Sequence, residues 1–220
     1  MEEEDRGRVW RLYGWFTALM ACGSCFGAVA WAARMIFLVN FFKGNTSEDP
    51  AQLTPLFALA YSWRAAFLVS YAIEFLCLSA AKLMVLDRMA VFAAPQGARL
   101  QKRWAAAGRV VMAAVVLGNA VGLAANAAAA VHYHKAAQAE SAASVYYAAN
   151  NTEDGQRFRF LSQVELQRGG SILSVQAFCE VAVLLLIVVA FAVVGVLSAR
   201  RVSARLLDVD AACPAYHLSF

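Results

Sequence analysis

The chain has 220 residues, of which 61% are hydrophobic and 15% are charged, and its formal net charge is +4. Soluble globular domains carry about 25% charged and about 45–50% apolar residues, so this composition excludes an ordinary soluble domain. Long apolar runs bounded by charges are typical of an integral membrane protein. The basic residues lie at the ends of these runs, where they set topology. We therefore expect the lipid bilayer, and no nucleic acid, as a partner.

Four apolar runs are long enough to cross a membrane as helices. Three of them are uncharged stretches of 22, 22 and 19 residues at 12–33, 110–131 and 181–199. Each can cross a hydrocarbon core of ~30 Å at a rise of 1.5 Å per residue. The remaining run contains two charged residues, Glu74 and Lys82. With their boundary residues, the predicted spans are 12–34, 65–86, 110–131 and 178–199.

The distribution of Lys and Arg predicts that both termini are cytosolic. In that orientation 11 basic residues lie inside and 6 outside, leaving out Arg34 and Lys82 at the edges of spans or within them. Cytosolic loops carry the excess of Lys and Arg. Two N-glycosylation sequons, at Asn45 and Asn150, fall in the outer loops of the same topology. We expect a multi-pass protein of the plasma membrane or a secretory-pathway membrane.

Apolar residues continue past the outer ends of three spans. The predicted fold is therefore an all-α four-transmembrane-helix bundle with helical extensions on the non-cytosolic side. Outer loops are predicted at 43–54 and 135–170, and an inner loop at 88–108. A single four-helix domain would cover 1–201, followed by a short cytosolic tail at 202–220.

Within the second outer loop, two segments are expected to be helical. The Ala-rich stretch 135–147 favours a continuation of the third helix, because Ala has the highest helix propensity. Residues 157–167 are expected to form a short helix that ends at Gly169-Gly170.

Glu74 is the charged residue that most needs explanation. It is the tenth residue of its apolar run, which places it ~15 Å deep at 1.5 Å per residue. A charge at that depth costs at least ~2.5–3.5 kcal/mol on insertion scales. The structural interpretation is a neutral carboxyl group that bonds Asn119, at a similar depth, or a backbone carbonyl. The functional interpretation is a proton or cation site on a conduction path.

Arg34 and Glu180 lie near the outer boundary and carry opposite charges. They either form an interhelical ion pair or act as two independent interfacial residues. Neither arrangement implies chemistry, because exposed ion pairs contribute little to stability.

Two pairs of glycines at four-residue spacing indicate close helix packing. Gly23 and Gly27 lie in the first span, and Gly118 and Gly122 lie in the third. Glycine lets helix backbones approach closely where lipid provides no hydrophobic driving force. We expect the first and third helices to cross at these glycines; a homodimer interface is the alternative.

The sequence contains no phosphate-binding loop, metal cluster or catalytic Ser/His or Cys/His arrangement, so we expect no enzymatic activity and no cofactor. The four-span layout resembles tetraspanins in outline. However, the loop at 132–171 has no cysteine, and hence no Cys-Cys-Gly motif. The leading hypothesis is a scaffold or accessory subunit that contacts other membrane proteins or a second copy of itself. The alternative is an oligomeric channel or proton-coupled transporter that uses Glu74.

Overall fold

A computed structural model describes residues 2–94 and 97–212, and four long helices account for nearly all of them. The helices are α1 (Glu2–Thr46), α2 (Pro50–Phe92), α3 (Ala98–Ala148) and α4 (Thr152–Ala212). The described part of the chain contains no strand. The prediction of an all-helical protein is therefore confirmed for these residues.

Each helix contains an apolar stretch that could cross a membrane. Such stretches lie within Trp10–Thr46, Pro50–Phe92, Ala98–Ala148 and Thr152–Ser203. The shortest of the four helices has 43 residues, about twice the ~20 residues that a transmembrane helix needs. Each predicted span falls inside one of these helices, which confirms four helices of membrane-spanning length and composition.

The two connections that were predicted as outer loops are much shorter than predicted. Helix α1 is separated from α2 by residues 47–49, and α3 from α4 by residues 149–151. The predicted loops 43–54 and 135–170 are thus helical over most of their length.

Local capping explains why these turns can be so short. Asp49 Oδ1 accepts a hydrogen bond from the Ala51 N–H at the start of α2, and Asn151 Oδ1 accepts one from the Asp154 N–H at the start of α4. Asn150 has φ 56°, the left-handed conformation in which Asn often ends a helix.

The connection between α2 and α3 is also shorter than the inner loop predicted at 88–108. Helix α2 continues to Phe92 and α3 begins at Ala98, just after Gly97 with φ 106°. The predicted span 178–199 lies within α4, and the helix continues past residue 199 to Ala212. The rest of the predicted tail, 213–220, lies outside the described residues.

The expected helix end at Gly169-Gly170 is absent, because α4 passes through both residues without interruption. A Cβ at Gly169 would lie 3.2 Å from Cε2 of Tyr133 on α3. Glycine at this position therefore permits α4 to pack closely on the Tyr133 ring. It acts as a packing residue, not as a helix terminator.

The chain divides into two compact units. The first contains the described residues up to Ala81 together with Leu117–Ala182, and the second contains the described residues of Lys82–Val116 and those from Val183 onward. Segments of all four helices contribute to the first unit. Segments of α2, α3 and α4 contribute to the second.

The core of the first unit combines aromatic rings with alanines. Phe57 and Tyr61 on α2 are buried and stacked, with ring centroids 5.8 Å apart. They pack with Ala136 and Ala137 of α3, which are also buried. The ring of Phe41, on α1, lies 5.6 Å from that of Phe57. Because alanine is small, the α3 backbone can approach these rings closely.

In the second unit, side chains bond the backbone carbonyls near the C-terminal end of α2. Trp104 Nε1 on α3 donates to the Ala90 carbonyl at 3.0 Å, and Arg201 on α4 donates to the carbonyls of Phe92 and Ala94. The last carbonyls of a helix have no partner within the helix, so these contacts satisfy groups that would otherwise need water.

The contact between Cys22 and Cys77 provides a test of how α1 packs on α2. Their sulfur atoms lie 3.7 Å apart, so mild oxidation should join the two helices with little rearrangement. Cleavage at a protease site inserted at 47–49, followed by a non-reducing gel, would show whether the fragments stay joined.

In this experiment Cys77→Ser should abolish the link and Cys25→Ser should leave it unchanged. A link that forms equally well in Cys77→Ser would contradict the described register of α1 and α2.

Candidate functional site

The Glu74 carboxyl group lies directly against the backbone of α1 at Gly27. A Cβ at Gly27 would be 2.6 Å from Glu74 Oε1 and 2.8 Å from its carboxyl carbon. These distances are shorter than van der Waals contact, so the Glu74 side chain occupies space that only glycine leaves free. The side chain is half-buried. Sequence analysis singled out both residues but did not pair them.

A stripe of small residues continues this contact along α1. Gly23 lies one turn before Gly27, where a Cβ would meet the Cys77 and Leu78 side chains of α2 at 3.3 Å. Ala30 and Ala33 continue the stripe, and each is only 1% exposed. Small residues at this spacing allow two helix backbones to approach closely.

The expected crossing of α1 and α3 at their glycines differs from the contacts observed. The glycines of α1 face α2, because the three-residue turn places these helices side by side. On α3, Gly118 is half-buried, and Gly122 is buried but has no atom within 4 Å of an added Cβ. The space that the Glu74 carboxyl group fills lies on α1, beside Gly27, and is called the Gly27 notch below.

The predicted hydrogen bond between Glu74 and Asn119 is not present. Asn119 is 5% exposed, and its Oδ1 has no hydrogen-bond partner among the described residues. One turn from Glu74, Tyr71 donates from its hydroxyl to Glu180 Oε2 on α4 at 3.2 Å. The polar contact between α2 and α4 therefore uses Tyr71, which sequence analysis did not select.

Arg34 and Glu180 do not form the ion pair that was one of two interpretations. Glu180 bonds Tyr71, whereas the Arg34 guanidinium lies over the rings of Phe37 and Phe67. Among the side chains that the structure describes, ion pairs within 4.0 Å are found only at Glu165. Within that set, Arg34 thus contacts aromatic faces and no carboxylate.

Several polar side chains of the first unit are buried without a partner for one of their atoms. The described atoms in this state include Asn119 Oδ1, Asn126 Oδ1, Gln176 Nε2 and Glu180 Oε1. An unsatisfied buried polar group is destabilising. These atoms mark the places where a bound water or a shared proton would be most stabilising.

A second polar cluster links α3 to α4 at Glu165. His132 Nδ1 lies 2.6 Å from Glu165 Oε2, and Arg168 Nη1 donates to Glu165 Oε1 at 3.0 Å. The hydrogen bond from His132 and the nearby positive charges lower the pKa of Glu165. The three-residue spacing of Glu165 and Arg168 predicts their contact on one helix face. The contact with His132 cannot be predicted from the sequence in this way, because the two residues are 33 positions apart.

Glu140 is the most deeply buried acid of the described residues, with 3% of its surface exposed. Burial raises its pKa above the ordinary value of 4.5, and the nearby Ser162 and Arg159 oppose this shift. Glu140 Oε2 has no hydrogen-bond partner within the described chain. Burial therefore favours the protonated form of this carboxyl group relative to an exposed one.

Glu74 belongs to no group of potential metal ligands and lines neither of two cavities in the described part of the chain. Within the described residues no three His, Cys, Asp or Glu side chains are grouped as metal ligands. One cavity of about 560 Å³ lies in the second unit, and one of about 850 Å³ lies between α2 and α3 in the first. Glu74 lines neither cavity.

No protein-family model, curated protein or solved structure matches this chain. Its function is therefore inferred from the contacts above.

The buried Glu140 predicts a pH-dependent gain in stability for Glu140→Gln. Burial raises the pKa of Glu140 in the folded state. Ionisation of Glu140 therefore does not destabilise the fold below about pH 4.5, and the destabilisation develops as pH rises through the pKa of the folded state. The melting temperature of Glu140→Gln in detergent should match wild type at low pH and exceed it at pH 7–8.

Glu153→Gln is the matched control, since Glu153 is exposed in the first turn of α4. A melting temperature for Glu140→Gln below that of wild type at pH 8 would show that the carboxylate is ionised and stabilising.

Proposed function

We propose that this chain is a multi-pass membrane protein that acts as a non-enzymatic scaffold or accessory subunit, through helix packing and interactions with other membrane proteins or a second copy of itself. The observation that carries the proposal is the contact of Glu74 with Gly27. It places the one acid deep in an apolar run at a helix–helix interface.

The exposed apolar side chains support a membrane environment. On α4, Val181, Leu185, Val188 and Val189 each have more than half of their surface exposed. Monomeric soluble proteins rarely expose large contiguous apolar patches. A bilayer would cover these side chains and also accommodate the other three apolar helices.

The charges and sequons support cytosolic termini and a non-cytosolic position for the two short outer turns. Asn45 and Asn150 are exposed, close to the α1–α2 turn and within the α3–α4 turn respectively. The parts of the helices between these turns and the predicted spans would form the extensions outside the membrane. Their core of Phe57, Tyr61, Ala136 and Ala137 resembles that of a water-soluble bundle.

The packing of Glu74 favours a structural role over transport. A transport site lies on a path for its ion or proton, whereas the Glu74 carboxyl group lies on the α1 backbone and lines neither of the two cavities. No described basic side chain lies within 4.0 Å to hold it as an ion. A side chain that fills the space between two helix backbones is consistent with interhelical adhesion.

A proton-coupled channel or transporter remains the alternative function. The hydrogen bond between Tyr71 and Glu180 favours it, because Tyr71 lies one turn from Glu74 on α2 and its hydroxyl group bonds a second acid. Chains of such groups serve as proton relays in transporters.

Substitution of Glu74 separates the two functions. In the scaffold account, Glu74→Gln keeps the shape of the side chain beside Gly27 and should unfold within about 0.5 kcal/mol of wild type. Glu74→Ala should lose about 1–3 kcal/mol, because the notch is left unfilled. Unfolding in detergent would measure both values, and a pH-sensitive dye in proteoliposomes would measure proton flux.

Proton flux in wild-type liposomes that disappears in a stably folded Glu74→Gln variant would replace the scaffold account with the transport account. No flux in either protein, with the stability order described, is the result that the proposal predicts.

The orientation predicts glycosylation at the outer turns. In a secretory-pathway membrane, Asn45→Gln and Asn150→Gln should each remove an endoglycosidase-sensitive mass shift, and a C-terminal tag should be accessible only from the cytosol. A tag that is protected in sealed vesicles until detergent is added, with cytosol facing out, would contradict the topology.

A further inference from the structure

Two arginines on neighbouring helices share one aromatic site. The sequence Arg34-Met35-Ile36-Phe37 on α1 and the sequence Arg64-Ala65-Ala66-Phe67 on α2 have the same Arg-x-x-Phe spacing. Residues three apart lie on the same face of a helix, so each arginine lies beside its own phenylalanine. The repeated pattern is visible in the sequence, although its two copies are 30 residues apart.

Each guanidinium lies over both phenylalanine rings. The Arg34 guanidinium carbon is 5.1 Å from the centroid of Phe37 and 5.7 Å from that of Phe67. The Arg64 guanidinium carbon is 5.4 Å from Phe37, 5.0 Å from Phe67 and 5.8 Å from Tyr133 on α3. Three helices thus form a single aromatic site that holds two positive charges.

This pair of charges has no acidic partner. Both arginines are half-buried, and no carboxylate among the described side chains lies within 4.0 Å of either. Contact with a ring face attracts a cation without neutralising its charge. Arginine also remains protonated in proteins. The two positive charges therefore repel each other, and proton loss does not relieve that repulsion.

The geometry points to a phosphate group as the missing partner: we propose that Arg34 and Arg64, held by Phe37, Phe67 and Tyr133, bind a phosphate. A planar guanidinium forms two parallel hydrogen bonds with phosphate oxygens. The two positive charges of Arg34 and Arg64 match the negative charge of a phosphate group. The aromatic rings hold both guanidinium groups in place before the anion binds. This preorganisation reduces the loss of side-chain conformational entropy on binding.

The position along the helices makes a phospholipid headgroup one source of this phosphate. Arg34 follows the uncharged run 12–33 and Arg64 precedes the apolar run 65–86, so each lies at the end of its span nearest the α1–α2 turn. In the proposed orientation this is the level of the headgroups on the non-cytosolic side. A soluble phosphate ester from that side is the other source, and that one does not depend on a bilayer.

The test measures the binding of defined phosphates to the purified full-length chain. The lipid probe is phosphatidic acid added to phosphatidylcholine nanodiscs, and the soluble probes are inorganic phosphate and glycerol 3-phosphate. Arg34→Gln, Arg64→Gln and the double variant remove the site. Arg157→Gln is the matched control, because Arg157 is an exposed arginine of α4 on the same proposed side.

We expect the double variant to bind the phosphate probe about tenfold or more weakly, since charge-assisted hydrogen bonds are lost. Arg157→Gln should bind within about twofold of wild type. Binding of phosphatidic acid alone assigns a lipid headgroup, and competition by the soluble probes assigns a free phosphate ester. Equal binding by the double variant and Arg157→Gln would overturn the proposal.

Melting temperatures without any phosphate keep the test valid if a variant folds poorly. Relief of like-charge repulsion should leave Arg64→Gln as stable as wild type, or more stable, in phosphate-free neutral detergent. Added phosphatidic acid should then stabilise wild type and Arg64→Lys, which keeps the charge, more than Arg64→Gln. A wild-type protein whose melting temperature responds to none of the probes would also overturn the proposal.

Discussion

The close approach of α1 to α2 at Gly27 is the contact on which the rest of the first unit depends. The Glu74 carboxyl group occupies the space that a side chain at residue 27 would need. Two consequences follow along the helices. The stripe of small residues on α1 faces α2, and about two to three turns further the two Arg-x-x-Phe segments come into contact. A shift of register by one residue would remove both contacts.

Polar groups, not only apolar area, specify how these helices pair. Helices that are apolar on most faces can slide or rotate in lipid, since lipid chains are as apolar as leucine. Tyr71 with Glu180, and His132 with Glu165, each join one helix to a particular neighbour. Such contacts contribute modestly to stability, but they distinguish the observed pairing from its alternatives.

The sequence predicted the helices well and their partners poorly. Length, charge boundaries and apolar runs located four spans, because these properties are local. The outer loops were predicted too long, since apolar and alanine-rich segments continue the helices until Asp49 and Asn151 cap new ones. Gly169 was interpreted as a stop because its packing partner, Tyr133, is 36 residues away.

The site residues show the same division between local and distant information. Glu74 and Gly27 were each singled out, one for its depth and the other for its spacing, but nothing in either pattern pairs them. The interpretations that paired Glu74 with Asn119 and Arg34 with Glu180 matched depth and charge alone. The aromatic site around Arg34 was missed, although the repeated Arg-x-x-Phe spacing is a signal that could have found it.

A double-mutant cycle between residues 27 and 74 tests the central contact most directly. Gly27→Ala alone should cost about 1 kcal/mol of unfolding free energy, because its methyl group displaces the Glu74 carboxyl group, the end of a flexible side chain, from its place beside Gly27. In a Glu74→Ala background the same change should cost less than about 0.5 kcal/mol, because the space is then vacant. An equal cost in both backgrounds would mean that Glu74 does not occupy the Gly27 notch, and the account of α1–α2 pairing would be wrong.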